Sequence, residues 1–116
     1  MTDQAEAEAR VRTSFSRQRM METMGAQMTV CAPGRIVLEM PFSAALSQQH
    51  GFVHAGAITA LMDSAAGYAA MSLSPAGAEV LTVEFKSNLL SPARAARFRA
   101  EGSVLKSGRP GMVAAA

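Results

Sequence analysis

The chain has 116 residues, 49% hydrophobic and 17% charged, with a formal net charge of +2. These figures fit one domain and exclude both a two-domain chain and a disordered one. A single cysteine, Cys31, excludes an intrachain disulfide and a multi-cysteine zinc site.

A chain this short buries only about two-thirds of its unfolded surface. Aromatics are few and methionine and alanine are abundant, so the expected core is built from small and flexible side chains. Packing against another subunit is expected to supply part of the burial. The N-terminus carries Asp3, Glu6 and Glu8 with no early apolar run, which is not the pattern of a secretory signal. The stretch from Gly51 to Ala78 contains Asp63 and many small residues, which argues against a membrane span. The expected compartment is the cytoplasm. Charge is unevenly spread: residues 1–40 balance, residues 41–92 carry −2 and residues 93–116 carry +4. The basic C-terminal segment suits a phosphate-bearing ligand or a solvated strand face. Phe98 is the only aromatic within it, too little interleaving to favour nucleic acid.

Residues 4–24 read as one amphipathic helix, with Val11, Phe15, Met20, Met21 and Met24 at roughly helical spacing and Gly25 as its stop. From Met28 to Met40 the pattern turns extended, and Pro33-Gly34 divides it into a hairpin. Residues 41–53 read as a loop. Residues 55–73 form a second helix, rich in alanine and apolar on nearly every face, as a buried helix is. Residues 79–90 alternate: Leu81, Val83, Phe85 and Leu89 on one face, Thr82, Glu84, Lys86 and Asn88 on the other. The expectation is a half-buried strand. Residues 95–107 alternate again, and Lys106-Ser107-Gly108-Arg109 reads as a turn. One very apolar helix among antiparallel strands implies an α+β layout, a sheet wrapped around that helix. Residues 1–25 are taken as the N-terminal helix and residues 26–116 as the domain body.

Asp63 is the only charged residue between Glu39 and Glu79. A buried carboxylate costs several kcal/mol unless it is paired or hydrogen-bonded. It either bonds a nearby group such as Ser64, or points to solvent, or serves as general base or nucleophile in a pocket. His54 stands at the start of the same helix, with His50 four residues earlier. Such a histidine is commonly a structural hydrogen-bonding residue, and the spacing of His54, Asp63 and Cys31 is not that of metal ligands. The first N–H groups of a helix lack intrahelical partners and lie at the positive end of its dipole. Ala55-Gly56 presents such groups with little bulk, so a carbonyl oxygen could be polarised there. The alternative for Gly56 is tight packing alone.

Gly51-Phe52-Val53-His54-Ala55-Gly56, with Asp63 nine positions after His54, resembles the hotdog-fold acyl-CoA thioesterases of the phenylacetate-pathway (PaaI-like) type. Val83-Glu84-Phe85-Lys86, Asn88-Leu89-Leu90, Ser91-Pro92-Ala93 and Lys106-Ser107-Gly108-Arg109 extend the resemblance over roughly residues 15 to 109. It implies a hotdog fold assembled as dimers or tetramers, with active sites at the dimer interface. It also implies acyl-CoA as substrate and no cofactor. Asp63 would activate water or attack directly, and the Ala55 N–H would polarise the thioester carbonyl. Gln48 would position thioester or water, Thr82 would assist the water, and His54 would orient the helix start. Gly56, Phe52, Met62 and Tyr68 would line the substrate pocket. Arg94, Lys106, Ser107, Gly108 and Arg109 would meet the coenzyme. Two departures stand out. The usual His-Gly-Gly is His-Ala-Gly, and the family continues with two more strands where this chain stops seven residues after Arg109. A hotdog enoyl-thioester hydratase and a non-catalytic acyl-CoA binder or inactive remnant are the alternatives.

Overall fold

A computed structural model describes residues 3–108 and 112–116. Two helices open the chain, α1 (Asp3–Arg17) and α2 (Arg19–Met24). A hairpin follows, β1 (Gln27–Ala32) and β2 (Arg35–Pro41), then a short 3-10 turn at Ala44–Leu46. Helix α3 (Ala55–Ser72) comes next, and the strands β3 (Arg97–Lys106) and β4 (Val113–Ala115) complete the sheet. All pairings are antiparallel, in the order β1-β2-β3-β4. The expected α+β layout is therefore observed, with α3 packed on the sheet through β2 and β3.

Three local features follow directly from sequence. The β1–β2 turn is Pro33-Gly34: proline presets the first corner, and Gly34 takes the left-handed φ of 71° that the second corner requires. Ser72 ties this turn to the end of α3, accepting from Gly34 N at 2.7 Å and donating to Ala69 O at 2.6 Å. Helix α2 ends at Gly25, also left-handed. Gly25 N–H reaches Glu22 O and Ala26 N–H reaches Met21 O, a Schellman closure.

The core is made of Met21, Met24, Met28 and Met40 with Ile36, Leu38 and Leu61, closed by Ala57, Ala65, Ala69 and Ala100. Small residues let helix and sheet approach closely. Gly102 of β3 sits directly on α3, where a Cβ would overlap the Ala65 carbonyl. Flexible methionines fill the irregular space that alanines leave.

Three expectations need correction. The N-terminal helix is not continuous over residues 4–24. It breaks at Gln18, whose backbone is extended (φ −84°, ψ 99°) and whose side chain turns inward to α3. Residues 79–90 form no strand. Alternation alone does not make one, because a strand needs a ladder partner, and this segment pairs with none among the described residues. Its apolar face is outward: Leu81 is 86% and Val83 93% exposed. Finally, Val113–Ala115, to which no element was assigned from sequence, pairs with Ser103–Lys106 as β4.

Candidate active site

Helix α3 begins at His54, whose backbone is extended (φ −61°, ψ 136°) and whose Nδ1 accepts from Gly56 N at 2.8 Å. The carbonyl of His54 accepts from Ala57 N and Ile58 N. The N–H of Ala55 has no acceptor among the described residues. One unpaired donor thus stands at the positive end of an 18-residue helix dipole. The His54 ring thus caps the first turn of α3 through Nδ1.

The loop before α3 is sewn to the segment after residue 90. Val53 N donates to Ala93 O and Phe42 N to Ala96 O, while His54 N donates to Leu46 O within the loop. A tight turn within it is closed by Gln48 N to Phe52 O and Gly51 N to Gln48 O. The Gln48 side-chain oxygen accepts from His50 N, which leaves its amide NH2 without a partner among the described residues. The Ala93 tether brings Arg94 over Phe52, with the guanidinium carbon 5.6 Å from the ring centroid, a cation–π contact.

Asp63 lies two turns further along α3 and is half-buried. Thr82 Oγ1 donates to its Oδ1 at 2.9 Å. Thr59, one turn earlier, has its hydroxyl 3.4 Å from that of Ser87. Gly67, one turn later, leaves room for Val80. Thr59, Asp63 and Gly67 recur every four residues, hence on one helix face. Residues 80–87 therefore run antiparallel along that face as an extended cover. The Thr59–Asp63 spacing was visible in sequence as two polar residues one turn apart on an apolar helix.

The other expected site residues are dispersed. Met62 is half-buried beside Asp63 in sequence. Tyr68 is buried, edge-on to Phe15 at 5.9 Å between centroids, and its hydroxyl is held by Ser14 and Gln18. Tyr68 thus faces α1, away from the Asp63 face. Lys106 closes β3 opposite Val113, and Ser107 and Gly108 are exposed beyond it. Arg109 lies outside the described residues. Much of the basic face of β3 is internally compensated: Glu101 bonds Arg35 at 2.7 Å and Arg99 at 3.4 Å. That pairing, led by the Arg35 hydrogen bond, holds the Glu101 carboxyl below its ordinary value. Burial pushes the Cys31 thiol up. Among the described residues no cluster of His, Cys, Asp and Glu could hold a metal ion, and no helix is long and apolar enough to cross a membrane.

A four-stranded antiparallel sheet packed on the buried helix α3 is the hotdog arrangement. A family model of the thioesterase superfamily matches residues 50–116, and the chain belongs to that superfamily. A thioesterase family protein from Silicibacter pomeroyi is 50% identical, with a TM-score of 0.90 over 96% of this chain and 79% of that one. The Escherichia coli PaaI protein from the phenylacetic acid degradation operon is 20% identical. It shares the fold at a TM-score of 0.87, over 97% of this chain and 80% of its own. A curated relative from Saccharolobus solfataricus, SSO2140, an esterase by name, is 36% identical over 75 residues. That match covers 65% of this chain and 53% of the relative, so the chain spans about half the length of the relative.

Proposed function

We propose that the protein hydrolyses acyl-CoA thioesters to free acid and coenzyme A, and that each site is shared between two copies of the chain. The observation that carries this is the separation of two groups on α3. Ala55 and Asp63 are eight residues apart, about 12 Å along a helix at 1.5 Å per residue. A nucleophile and the carbonyl it attacks must come within about 3–3.5 Å. Within one copy, the carbonyl and the water between these groups would have to bridge nearly that whole length, so this reading pairs the Ala55 N–H of one copy with the Asp63 carboxylate of a second.

In this reading the thioester carbonyl oxygen accepts from Ala55 N–H, at the positive end of the α3 dipole. Asp63 takes a proton from water as general base, and the water oxygen attacks the carbonyl carbon. The resulting oxyanion is held by the same N–H. The C–S bond then breaks, and the leaving thiolate takes the proton back from Asp63. Thr82 fixes the rotamer of Asp63 through the hydrogen bond to Oδ1. The unpaired amide of Gln48 orients the water or the thioester. Arg94, stacked on Phe52, and the exposed Lys106, Ser107 and Gly108 with Arg109 receive the nucleotide phosphates. Gly56, Phe52 and Met62 flank the acyl group. A second copy also covers the outward apolar side chains of residues 80–90, which otherwise expose Leu81, Val83, Phe85 and Leu90 to water.

The test is release of free thiol from a panel of aryl and fatty acyl-CoAs. Asp63→Asn should lower kcat by orders of magnitude with fold and assembly intact. Near-normal turnover in that variant, or acyl-CoA binding without thiol release by the unaltered chain, overturns the proposal.

A further inference from the structure

Residues 80–87 rest on α3 through two hydroxyls. Thr82 bonds the Asp63 carboxylate. Ser87 stands 3.4 Å from the hydroxyl of Thr59, and the reaction outlined above uses neither of these two. Both residues are half-buried, and Ser87 is the one residue of 79–90 that is not exposed. At that distance the pair is longer than an ordinary O–H···O bond. A hydroxyl offers one donor and two acceptor positions, so the pair keeps the capacity to accept from an N–H and to donate to a carbonyl.

The chemistry along α3 follows an order. Arg94 lies near the N-terminal end of the helix, over Phe52, where the Val53–Ala93 tether brings it. Thr59 and Ser87 come next, then Asp63 with Thr82. One turn beyond Asp63 the same face carries Gly67 against Val80, with no polar side chain. Cation, hydroxyl pair, carboxylate and apolar surface thus succeed one another within one copy. An acyl-CoA has the matching succession of phosphates, amide, thioester and acyl group. The spacing agrees as well. The amide nitrogen nearest the sulfur is four bonds from the reacting carbon, about 5 Å in an extended arm. Thr59 is four residues before Asp63, about 6 Å along the helix.

We propose that Thr59 and Ser87 bind this amide of the pantetheine arm, in the copy that supplies Asp63. The coenzyme then runs toward the start of α3 and the acyl group toward Gly67. This rests on the hydrolase reading and adds to it the direction of the substrate. It also adds a basis for preferring pantetheine thioesters, because a site built to hydrogen-bond a substrate group rejects an analogue that lacks it.

The test compares thioesters of one acyl group with three thiols. These are coenzyme A, N-acetylcysteamine, which retains the amide, and pentanethiol, which replaces it by methylenes. Thiol release is followed for the unaltered chain and for Thr59→Val, Thr59→Ser and Ser87→Ala. The readout is the ratio of kcat/KM for the N-acetylcysteamine thioester to that for the pentyl thioester. Thr59→Val should lower this ratio by about tenfold, through loss on the amide substrate alone. Ser87→Ala should lower it as well. Thr59→Ser, which keeps the hydroxyl, should hold it within about twofold of the unaltered chain. A merely structural contact would lower both thioesters together and leave the ratio unchanged. An unchanged ratio in both Thr59→Val and Ser87→Ala overturns this proposal alone, as does a chain that cleaves the coenzyme A thioester but not the N-acetylcysteamine one. No thiol release from any of the three overturns the hydrolase reading, and this proposal with it.

Discussion

Replacing Ala55 by proline puts the ring Cδ in place of the N–H proton at the proposed oxyanion site and leaves the backbone path unchanged. Ala55 is the first residue of α3, the one helical position where proline is favoured, because its N–H has no intrahelical acceptor. The residue before a proline must be extended, and His54 already is, at φ −61° and ψ 136°. No hydrogen bond is lost, since the Ala55 N–H has no acceptor among the described residues. The stability change should therefore stay within about 1 kcal/mol. Loss of one oxyanion donor typically costs about 10²–10³ in kcat, or about 2.7–4 kcal/mol of transition-state stabilisation. The assay is thiol release under saturating acyl-CoA, with a thermal melt beside it. An unshifted melt with kcat down at least a hundredfold is expected. Unchanged kcat in a folded Ala55→Pro chain would refute the assignment of this N–H.

Two further outcomes follow from packing and charge. Gly102→Ala places a methyl group where the Ala65 carbonyl already sits. Overpacking of this kind costs about 1–3 kcal/mol or more, so the melt should fall clearly below that of the unaltered chain. An unchanged melting temperature would mean that β3 and α3 are not in contact there. Glu101 is held below its ordinary pKa chiefly by Arg35. A depressed carboxylate stabilises the fold above its unfolded pKa, and that contribution is lost as pH falls through the folded value. Glu101→Gln should therefore be less stable than the parent at neutral pH, and the gap should close in acid. Parallel stability curves across that range would contradict the pairing.

Much of the fold was legible locally. Helix α3 was expected over 55–73 and runs Ala55–Ser72, because alanine propensity and all-round apolarity both point to a buried helix. Pro33-Gly34 announced its own turn. What escaped depended on partners distant in sequence. The break at Gln18 arises from a side chain reaching Ser64 and Tyr68, 46 and 50 residues away. The alternation of residues 79–90 recorded two faces but could not say that the polar one meets α3 at Asp63. Within the site, the cap that His54 places on Gly56 N is a local contact between residues two apart. The Thr82–Asp63 bond was not foreseen, since the resemblance implied only that Thr82 would assist the water, and the stacking of Arg94 on Phe52 depends on the Val53–Ala93 tether.

The shared site is tested most directly by complementation. Ala55→Pro and Asp63→Asn chains, each inactive alone, are co-expressed and purified together. If Ala55 and Asp63 of different copies form one site, each mixed dimer regains one intact site. Random pairing then restores about one quarter of parental activity. Mixed assemblies that stay as inactive as either parent variant would contradict a site divided between two chains.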